Sequence, residues 1–358
     1  MIAIIGAGPA GSMAALKLAK SHDVTLFEEH DTVGKPVQCT GIVTETINQT
    51  LRLNPDVVMN KIKEAQIIGP NGKGFSVYFK HPENIMDRYK FDEWLSQKAE
   101  DDGAKILKGH RFLGFERGKA KIEVVNKKRI KLFAFDHILG ADGPQSRVAK
   151  SAELFGKRTF FTAMQATVRC KNDNAILFYP HIGQLGWAVP DSPHTMRVGV
   201  ASYENCPTYF NQILKMHPGK VIDRQAGLIP VYDPNLNTEK GNVCVAGDAA
   251  TQVKATTGGG IIASMVAGCA FAEHVQTGKS YEKLWRKKIG TGLWLHLKMR
   301  AVMNRFNAND WNRFVNAFQK PALKKALEEE SRDEPVKLLM KIAMHKPSLA
   351  LLARKLFW

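Results

Sequence analysis

The chain has 358 residues, of which 44% are hydrophobic and 24% are charged. This length accommodates about two domains, and the composition is typical of a globular protein rather than of a disordered one. Five cysteines without a CxxC pair argue against a disulfide framework and against a structural zinc site, and we predict no metal. The N-terminus lacks a basic leader and no apolar run reaches the length of a membrane span, so we expect a cytoplasmic protein.

The chain opens with the pattern of a βαβ unit. An apolar strand over residues 2–5 is followed by GAGPAG, by a helical pattern, and by a second strand over Asp23–Glu29. Gly6, Gly8 and Gly11 form a GxGxxG turn, which lets a pyrophosphate approach the backbone at the helix N-terminus. Glu28 ends the second strand, where a carboxylate can accept hydrogen bonds from ribose hydroxyls. Together these features predict a dinucleotide site.

The later elements alternate between helical and extended patterns. Residues 88–107 predict a helix followed by a strand, with Gly103 ending the helix. Residues 121–143 predict a β-meander that leads into a core strand. From about residue 160 to residue 230 we predict short strands of a mostly antiparallel sheet. Residues 242–250 predict a buried strand, a long helix follows, and the chain after Lys279 is helical with breaks at Pro321, Pro335 and Pro347.

Two glycine-containing stretches favour FAD over NAD as the dinucleotide. GADGPQSRV (residues 140–148) follows a strand, and GDAATQVKATTGGGI (residues 247–261) joins a strand to a helix. In the second stretch, Asp248 can hold ribitol hydroxyls, and the Thr-Thr-Gly-Gly-Gly run can direct backbone N–H groups at a ligand. A helix N-terminus at the flavin pyrimidine edge stabilises the negative charge of reduced flavin, whereas a nicotinamide needs no second anchor of this kind.

GAGPAG, RYKFD, GADGPQS and VAGDAATQVKATTGGGI occur in an order that resembles FAD-dependent aromatic hydroxylases and geranylgeranyl reductases. The resemblance covers roughly residues 1–280. It implies an α/β fold: a Rossmann-like FAD-binding domain, an antiparallel-sheet substrate domain and a C-terminal helical segment. It also implies FAD contacts at Gly6, Gly8, Ala10, Gly11, Glu28, Glu29, Arg88, Asp142, Gly143, Asp248, Thr257, Gly258, Gly259, Gly260 and Ile261.

Within that group the stretch PVQCTG resembles the geranylgeranyl reductase branch, in which a cysteine after the second strand lies near the flavin. Cys39 is therefore the candidate catalytic residue, as a proton relay or a gate of the cavity, although a small buried hydrophobic role is the alternative. The branch also has a substrate motif like YxWxFP, and the corresponding stretch here is LGWAVP. The resemblance implies substrate contacts at Leu185, Trp187, Val189 and Pro190. Leu185 and Val189 replace the expected aromatic residues, and Ala255 replaces a common proline.

The implied reaction is hydrogenation of isoprenoid C=C bonds of geranylgeranyl-type lipids, as in archaeal-type membrane lipid biosynthesis. Hydride would come from reduced FAD and a proton would reach the second carbon. An unactivated alkene offers no oxyanion to stabilise, so positioning in a dry pocket must contribute most. The electron donor would be NAD(P)H or a carrier such as reduced ferredoxin, because no second nucleotide motif occurs.

We predict three units along the chain. The FAD-binding domain takes residues 1–65, 85–155 and 236–278, and the substrate-binding sheet takes residues 66–84 and 156–235. Residues 279–358 form a C-terminal basic helical segment with 18 lysines and arginines, 7 acidic residues and four of the six tryptophans. This segment either lies on an anionic membrane at the inner face or caps the sheet with a solvated basic surface. Nucleic acid is not expected as a partner, because no binding motif accompanies the charge.

Two other functions compete with the reductase. The first is an FAD-dependent aromatic monooxygenase, hydroxylase or halogenase on the same fold, which would consume oxygen rapidly. The second is a membrane-peripheral protein that keeps FAD only as a structural group, and its flavin would not be reduced reversibly by any carrier.

Overall fold

The computed structural model describes residues 1–345, and these residues form three β-sheets with helices packed around them. The strands in chain order are β1 (Ile2–Ile5), β2 (Val24–Phe27), β3 (Ile42–Val43), β4 (Val58–Ile68), β5 (Gly74–Met86), β6 (Lys105–Leu107), β7 (His110–Glu116), β8 (Lys119–Val124), β9 (Arg129–Phe133), β10 (His137–Gly140), β11 (Phe160–Arg169), β12 (Ala175–Tyr179), β13 (Leu185–Ser192), β14 (Thr195–Ser202), β15 (Lys220–Pro230), β16 (Glu239–Lys240) and β17 (Val243–Val245). The α-helices are α1 (Pro9–Leu18), α2 (Arg88–Asp101), α3 (Arg147–Ser151), α4 (Cys206–Met216), α5 (Ile261–Thr277), α6 (Tyr281–Trp285), α7 (Thr291–Met303), α8 (Ala308–Phe318), α9 (Pro321–Glu329) and α10 (Pro335–His345).

The first sheet has the order β16-β17-β10-β1-β2-β6, and its strands are parallel except β16. Helices α1 and α5 cover one face, and the meander β7–β9 covers the other. Because both faces are buried, β1 and β2 consist entirely of buried residues. The predicted βαβ opening, the helix and strand over 88–107 and the meander are confirmed.

The second sheet has eight strands in the order β15-β11-β14-β13-β12-β4-β5-β3. All neighbours run antiparallel except β12 and β4, so the predicted mostly antiparallel sheet is confirmed. The hairpin of β4 and β5 spans residues 58–86 and adds two long strands to this sheet.

Helix α4 interrupts the region in which only strands were predicted. It begins with Pro207 in its first turn, and Cys206, Phe210 and Ile213 are buried against the sheet. Proline favours the first turn of a helix, and residues spaced by three or four lie on one face. Both signals are present in the sequence, but the strand patterns on either side led to a prediction of strands for the whole region.

The C-terminal helices cap the molecule. Trp285 packs with Tyr232 in the core beside the first sheet, and Trp311 is buried next to Phe306 and Phe314. Helices α8 and α9 pack on β5. As predicted, Pro321 and Pro335 interrupt the helical region, because each begins a new helix. Pro347 and Trp358 lie outside the described residues.

Candidate active site

Three loops meet at one edge of the parallel sheet. They follow β1, β10 and β17, which are neighbours, so their carboxyl ends lie side by side. Ligands of open α/β sheets bind at this edge. The fold therefore brings together GAGPAG, GADGPQS and GDAATQVK, which are far apart in the chain.

The glycines of the first loop have distinct roles. Gly6 has a φ of +100°, and a Cβ there would lie 2.4 Å from the Ala141 carbonyl oxygen. A Cβ on Gly11 would lie 2.0 Å from the Gly6 oxygen, so this glycine permits close packing of α1 and does not line the cavity. A Cβ on Gly8 would meet no atom within 4 Å, so Gly8 leaves open space in front of the N-terminus of α1. This is the arrangement that a pyrophosphate requires.

Glu28 is buried at the end of β2. Its carboxylate accepts hydrogen bonds from the Ala7 N–H at 2.9 Å and from the His30 N–H at 3.0 Å, which hold it beside the glycine loop. It therefore lies where a ribose would be bound. Glu29 is more exposed and pairs with Arg111 at 3.1 Å. Both glutamates border the same cavity, but Glu28 is the better placed for a buried ligand.

Arg88 at the start of α2 interacts with Asp92 and Cys39. Its guanidinium donates to the Asp92 carboxylate at 2.8 Å and also interacts with the Cys39 thiol. Burial acts to lower the pKa of Arg88, but Asp92 and Cys39 outweigh it and raise the pKa. Cys39 is half-buried in the cavity wall, and its sulfur accepts the Gly41 N–H at 3.3 Å. Arg88 is thus a permanent cation between the thiol and the cofactor loops.

Gly41, two residues after Cys39, has a conformation that requires glycine. Gly41 has a φ of +78°, and a Cβ there would lie 2.4 Å from the Met86 carbonyl oxygen. The space is therefore taken by the protein backbone, and Thr40 donates a hydrogen bond to Gln165 at 2.5 Å.

The carboxylate of Asp142 is used mainly by its own loop. It accepts hydrogen bonds from the Ser146 hydroxyl at 2.6 Å and from the N–H groups of Arg147 at 2.7 Å and Val148 at 3.1 Å. Burial raises its pKa, although these hydrogen bonds act against that effect. Asp142 therefore caps α3 and shapes the loop, while Gly143, with a φ of +77° and open space at its Cβ position, borders the cavity.

Asp248 has no hydrogen-bond partner for its carboxylate within residues 1–345. Burial raises its pKa to about 6, while the charge of Arg88 acts in the opposite direction. A half-buried carboxylate without a partner in this part of the chain is unfavourable, so its position facing the cavity points to a ligand that donates hydrogen bonds.

The Thr-Thr-Gly-Gly-Gly run forms a closed turn before α5. The Lys254 carbonyl accepts the N–H groups of Thr257 at 3.2 Å and Gly258 at 2.9 Å, and the Lys254 N–H donates to Gly259 at 3.1 Å. The Gly259 N–H also donates to the Thr257 hydroxyl oxygen at 3.4 Å, so the turn uses three of the N–H groups that were expected to face a ligand. The first turn of α5, from Gly260 and Ile261, still presents unpaired N–H groups, and both residues border the cavity.

One cavity of about 930 Å³ joins the glycine loops to the large sheet. Leu185 and Trp187 on β13 line it, as predicted from the substrate motif. Val189 and Pro190 do not line it. Val189 is fully buried behind the wall among core residues, and Pro190 points to the opposite face because side chains alternate along a strand. These two residues are therefore removed from the candidate contacts.

Gln165 on β11 was missed by the sequence reasoning. Its buried side-chain oxygen accepts hydrogen bonds from Thr40 and from the Trp187 indole N–H at 2.9 Å, and its amide donates to Gln225 at 3.0 Å. It therefore fixes the Cys39 loop and Trp187 against each other. A single glutamine in a strand gives no sequence signal for this role.

The cavity fits an FAD molecule by several independent features. Gly8 leaves open space at a helix N-terminus, Glu28 is buried beside it, and the Asp248 carboxylate lacks a partner. The cavity volume lies in the range of pockets that bury large ligands. The cavity also extends from the cofactor loops to Trp187, where a substrate can bind. Within residues 1–345 we find no group of three or more side chains suited to hold a metal ion, and no helix long and apolar enough to cross a membrane.

Comparisons with known proteins agree with this site. Residues 1–210 match the family model described as FAD binding domain, which is more than half of the chain. The chain is 26% identical to a digeranylgeranylglycerophospholipid reductase of Methanothrix thermoacetophila, over 89% of this chain and 91% of that protein. It is 29% identical to digeranylgeranylglycerophospholipid reductase 2 of Methanothermobacter thermautotrophicus, over 85% and 87%.

Solved structures show the same fold. A geranylgeranyl bacteriochlorophyll reductase-like protein of Thermoplasma acidophilum superimposes with a TM-score of 0.84 at 21% identity, covering 99% of this chain and 98% of that one. A flavin-dependent brominase superimposes with a TM-score of 0.70 at 18% identity, covering 99% of both chains. The cofactor is FAD, and the chain belongs to the FAD-binding domain family.

Proposed function

We propose that this protein is an FAD-dependent oxidoreductase that hydrogenates isoprenoid C=C bonds of geranylgeranyl-type lipids. The observation that carries the proposal is the continuous cavity, in which the cofactor loops lead directly to an apolar wall. The wall is built from Phe161, Phe178, Leu185, Trp187 and Ile229. An apolar lining of this kind suits a prenyl chain, and the names of the relatives support the same substrate class.

The chain's own residues supply position and a dry environment. Reduced FAD supplies hydride chemistry when it is bound. Trp187 borders the alkene end of the cavity, and its only polar atom is satisfied by Gln165. Gln165 is itself bound to Thr40 and Gln225, so this part of the wall adds no unpaired polar group that would attract water.

We propose that Cys39 holds the proton that the second alkene carbon requires. It lies on the loop between the cofactor residues and Trp187, and the same loop is fixed by Thr40 and Gly41. Addition of hydride to one carbon and of a proton to the other converts one C=C double bond into a C–C single bond. Asp92 is paired with Arg88, and Asp248 lies among the cofactor loops, so both carboxylates are less suited to this transfer.

An anaerobic single turnover tests the proposal. The flavin is reduced with dithionite, excess reductant is removed, and geranylgeranyl glycerolipid is added while the oxidised-flavin absorbance is recorded. The lipid should reoxidise the flavin, and a fully saturated phytanyl lipid should not. Rapid reoxidation by oxygen with a hydroxylated or halogenated aromatic product, and no response to the lipid, would instead support the oxygenase alternative.

The electron donor is proposed to bind transiently. NADH, NADPH and reduced ferredoxin are added separately to the oxidised holoenzyme without oxygen, and the rate of flavin bleaching identifies the donor. Reduction by none of these at a rate above that of the free flavin would contradict a transient donor of either class.

We also propose that α10 contacts an anionic membrane. Met340 and Met344 are 61% and 71% exposed and lie one turn apart on this helix, beside Lys337 and Lys341. The double variant Met340→Glu/Met344→Glu should lose co-sedimentation with anionic vesicles. Met216→Glu is the matched control, because Met216 is 45% exposed on α4, and this variant should co-sediment as the wild type does. Equal sedimentation of all variants would contradict the contact.

A further inference from the structure

Arg300 on α7 is a buried cation without a carboxylate partner within residues 1–345. Its side chain is only 2% exposed and borders the cavity. The guanidinium donates to three backbone carbonyls: Ala255 at 2.9 Å, Thr256 at 2.8 Å and Gln184 at 2.9 Å. A planar fork of donors is suited to hold several acceptors at fixed angles. Arg300 thus uses a buried charge to fix backbone rather than to form an ion pair.

The carbonyls that Arg300 holds belong to functional segments. Ala255 and Thr256 begin the loop that ends at the first turn of α5, and Gln184 directly precedes β13 with Leu185 and Trp187. Because the C=O and N–H of one peptide point in opposite directions, fixing these carbonyls also fixes the direction of the loop's N–H groups. One side chain therefore sets the cofactor loop relative to the apolar wall.

A second residue on the same face of α7 acts on the same loop. His296 lies one turn before Arg300, and its Nδ1 is 2.6 Å from the Thr256 hydroxyl oxygen. Its Nε2 is 3.1 Å from the Arg332 carbonyl oxygen. The histidine therefore connects the loop to the segment between α9 and α10.

The segment between α9 and α10 also forms an ion pair at the beginning of the loop. Asp333 pairs with Lys254, and both side chains are nearly buried. The same carboxylate accepts a hydrogen bond from Thr44 at 2.6 Å, just beyond the Cys39 loop. Its neighbour Arg332 pairs with Glu83 at 2.7 Å. The C-terminal segment is therefore bound to both sides of the cavity by buried polar contacts.

We propose that the helical segment after residue 278 is part of the flavin site. In this proposal Arg300, His296 and Asp333 are positioning residues that hold residues 254–260 in the conformation that receives FAD. The proposal rests on the FAD assignment and not on the prenyl-lipid substrate, so it can fail or hold independently of the proposed function.

Arg300 adds an electrostatic effect to its positioning role. Its positive charge lies next to the loop that leads into the N-terminus of α5, and both favour negative charge in the cavity. The reduction potential of the bound flavin should therefore fall when this charge is removed, because anionic reduced flavin loses stabilisation.

The test uses full-length protein and three measurements. Amide hydrogen exchange of residues 254–260 is recorded in FAD-free protein, the Kd for FAD is measured by fluorescence, and the midpoint potential is measured on the holoenzyme. The variants are Arg300→Lys, Arg300→Gln and Asp333→Asn. Arg313→Gln is the matched control, because Arg313 lies in the same segment and is highly exposed.

We expect faster exchange at residues 254–260 in Arg300→Lys and Asp333→Asn, with a Kd for FAD raised about tenfold by the loss of one charge-assisted interaction. The potential should fall in Arg300→Gln, and it should fall much less in Arg300→Lys, which keeps the charge. If the Arg300 variants do not fold, His296→Phe removes the contact to Thr256 and should show the same local exchange. Folded variants with unchanged exchange, FAD affinity and potential would overturn the proposal.

Discussion

Replacing Asp248 with asparagine should stabilise the FAD-free protein while weakening FAD binding. The carboxylate is half-buried and has no hydrogen-bond partner within residues 1–345, and desolvation raises its pKa from 3.8 to about 6. Because the pKa of Asp248 is higher in the folded protein than in the unfolded chain, protonation of this carboxylate favours the folded state. Its contribution to the free energy of unfolding is therefore greatest below about pH 4 and is lost as the pH rises through 6. Because one pKa unit corresponds to about 1.4 kcal/mol, the loss at pH 7.5 amounts to at most about 3 kcal/mol.

Urea unfolding of FAD-free wild type and Asp248→Asn measures this effect directly. At pH 7.5 the variant should be more stable by up to about 3 kcal/mol, and at pH 4 the two proteins should differ little, because both side chains are then neutral. Other titrating groups cancel in the difference between the two proteins. The exposed Asp173 offers a control, since Asp173→Asn should change stability by less than about 0.5 kcal/mol at either pH.

The same substitution should act in the opposite direction on the holoenzyme. If the carboxylate accepts hydrogen bonds from FAD, its loss should raise the Kd for FAD by about 10- to 100-fold. A stability difference that is the same at pH 4 and at pH 7.5 would refute the electrostatic reasoning. Unchanged FAD affinity would refute the assignment of Asp248 to the cofactor.

Three further substitutions separate catalysis, backbone strain and cavity shape. Cys39→Ala should retain FAD but lose most turnover or change which double bonds are reduced, as measured by turnover rate and product mass; unchanged turnover together with an unchanged product pattern would return Cys39 to a packing role. Gly41→Ala should lower the free energy of unfolding by about 1–3 kcal/mol, because the φ of +78° is unfavourable and the new Cβ would meet the Met86 oxygen at 2.4 Å; chemical denaturation checks this, and a loss below 0.5 kcal/mol would contradict it. Trp187→Phe should remove the hydrogen bond to Gln165, lower stability by about 1 kcal/mol and raise KM for the lipid with little change in FAD affinity; a normal KM would argue against a wall position for the substrate.

The cofactor half of the site could be predicted because its signals are local. GxGxxG between a strand and a helix, with Glu28 ending the next strand, specifies a turn, an approach path and an acceptor in one short stretch. The structure also brings Asp142 and Asp248 to the same edge, as the resemblance implied. It assigns Asp142 a different task, because its hydrogen bonds to Ser146 and α3 depend on the loop conformation.

The substrate half was harder to predict because its contacts are not local. Gln165 meets Thr40 across 125 positions and Trp187 across 22, and a single polar residue in a strand carries no pattern. Of the motif residues, Leu185 and Trp187 line the cavity, whereas Val189 lies deeper in the core and Pro190 points to the opposite face of the strand.

The C-terminal segment shows the same limit. Its charge and tryptophans left open whether it lies on a membrane or caps the sheet, and the structure shows that Trp285 and Trp311 are core residues. Arg300 is one of the 18 basic residues of the segment, and composition cannot separate it from the solvated ones. Only the packing of α7 against the loop at Ala255 reveals that one of these charges is buried at the cavity.

The most direct test of the central claim is the mass of the product from an anaerobic turnover in D₂O. The holoenzyme, with its flavin fully reduced, is mixed with geranylgeranyl glycerolipid, and oxidised flavin and lipid mass are determined in the same sample. The reductase account predicts that each flavin oxidised yields one saturated bond with deuterium at both of its carbons, because the hydrogen that reduced flavin transfers as hydride also exchanges with D₂O. A lipid of unchanged mass, or flavin oxidation without a saturated bond, would contradict it.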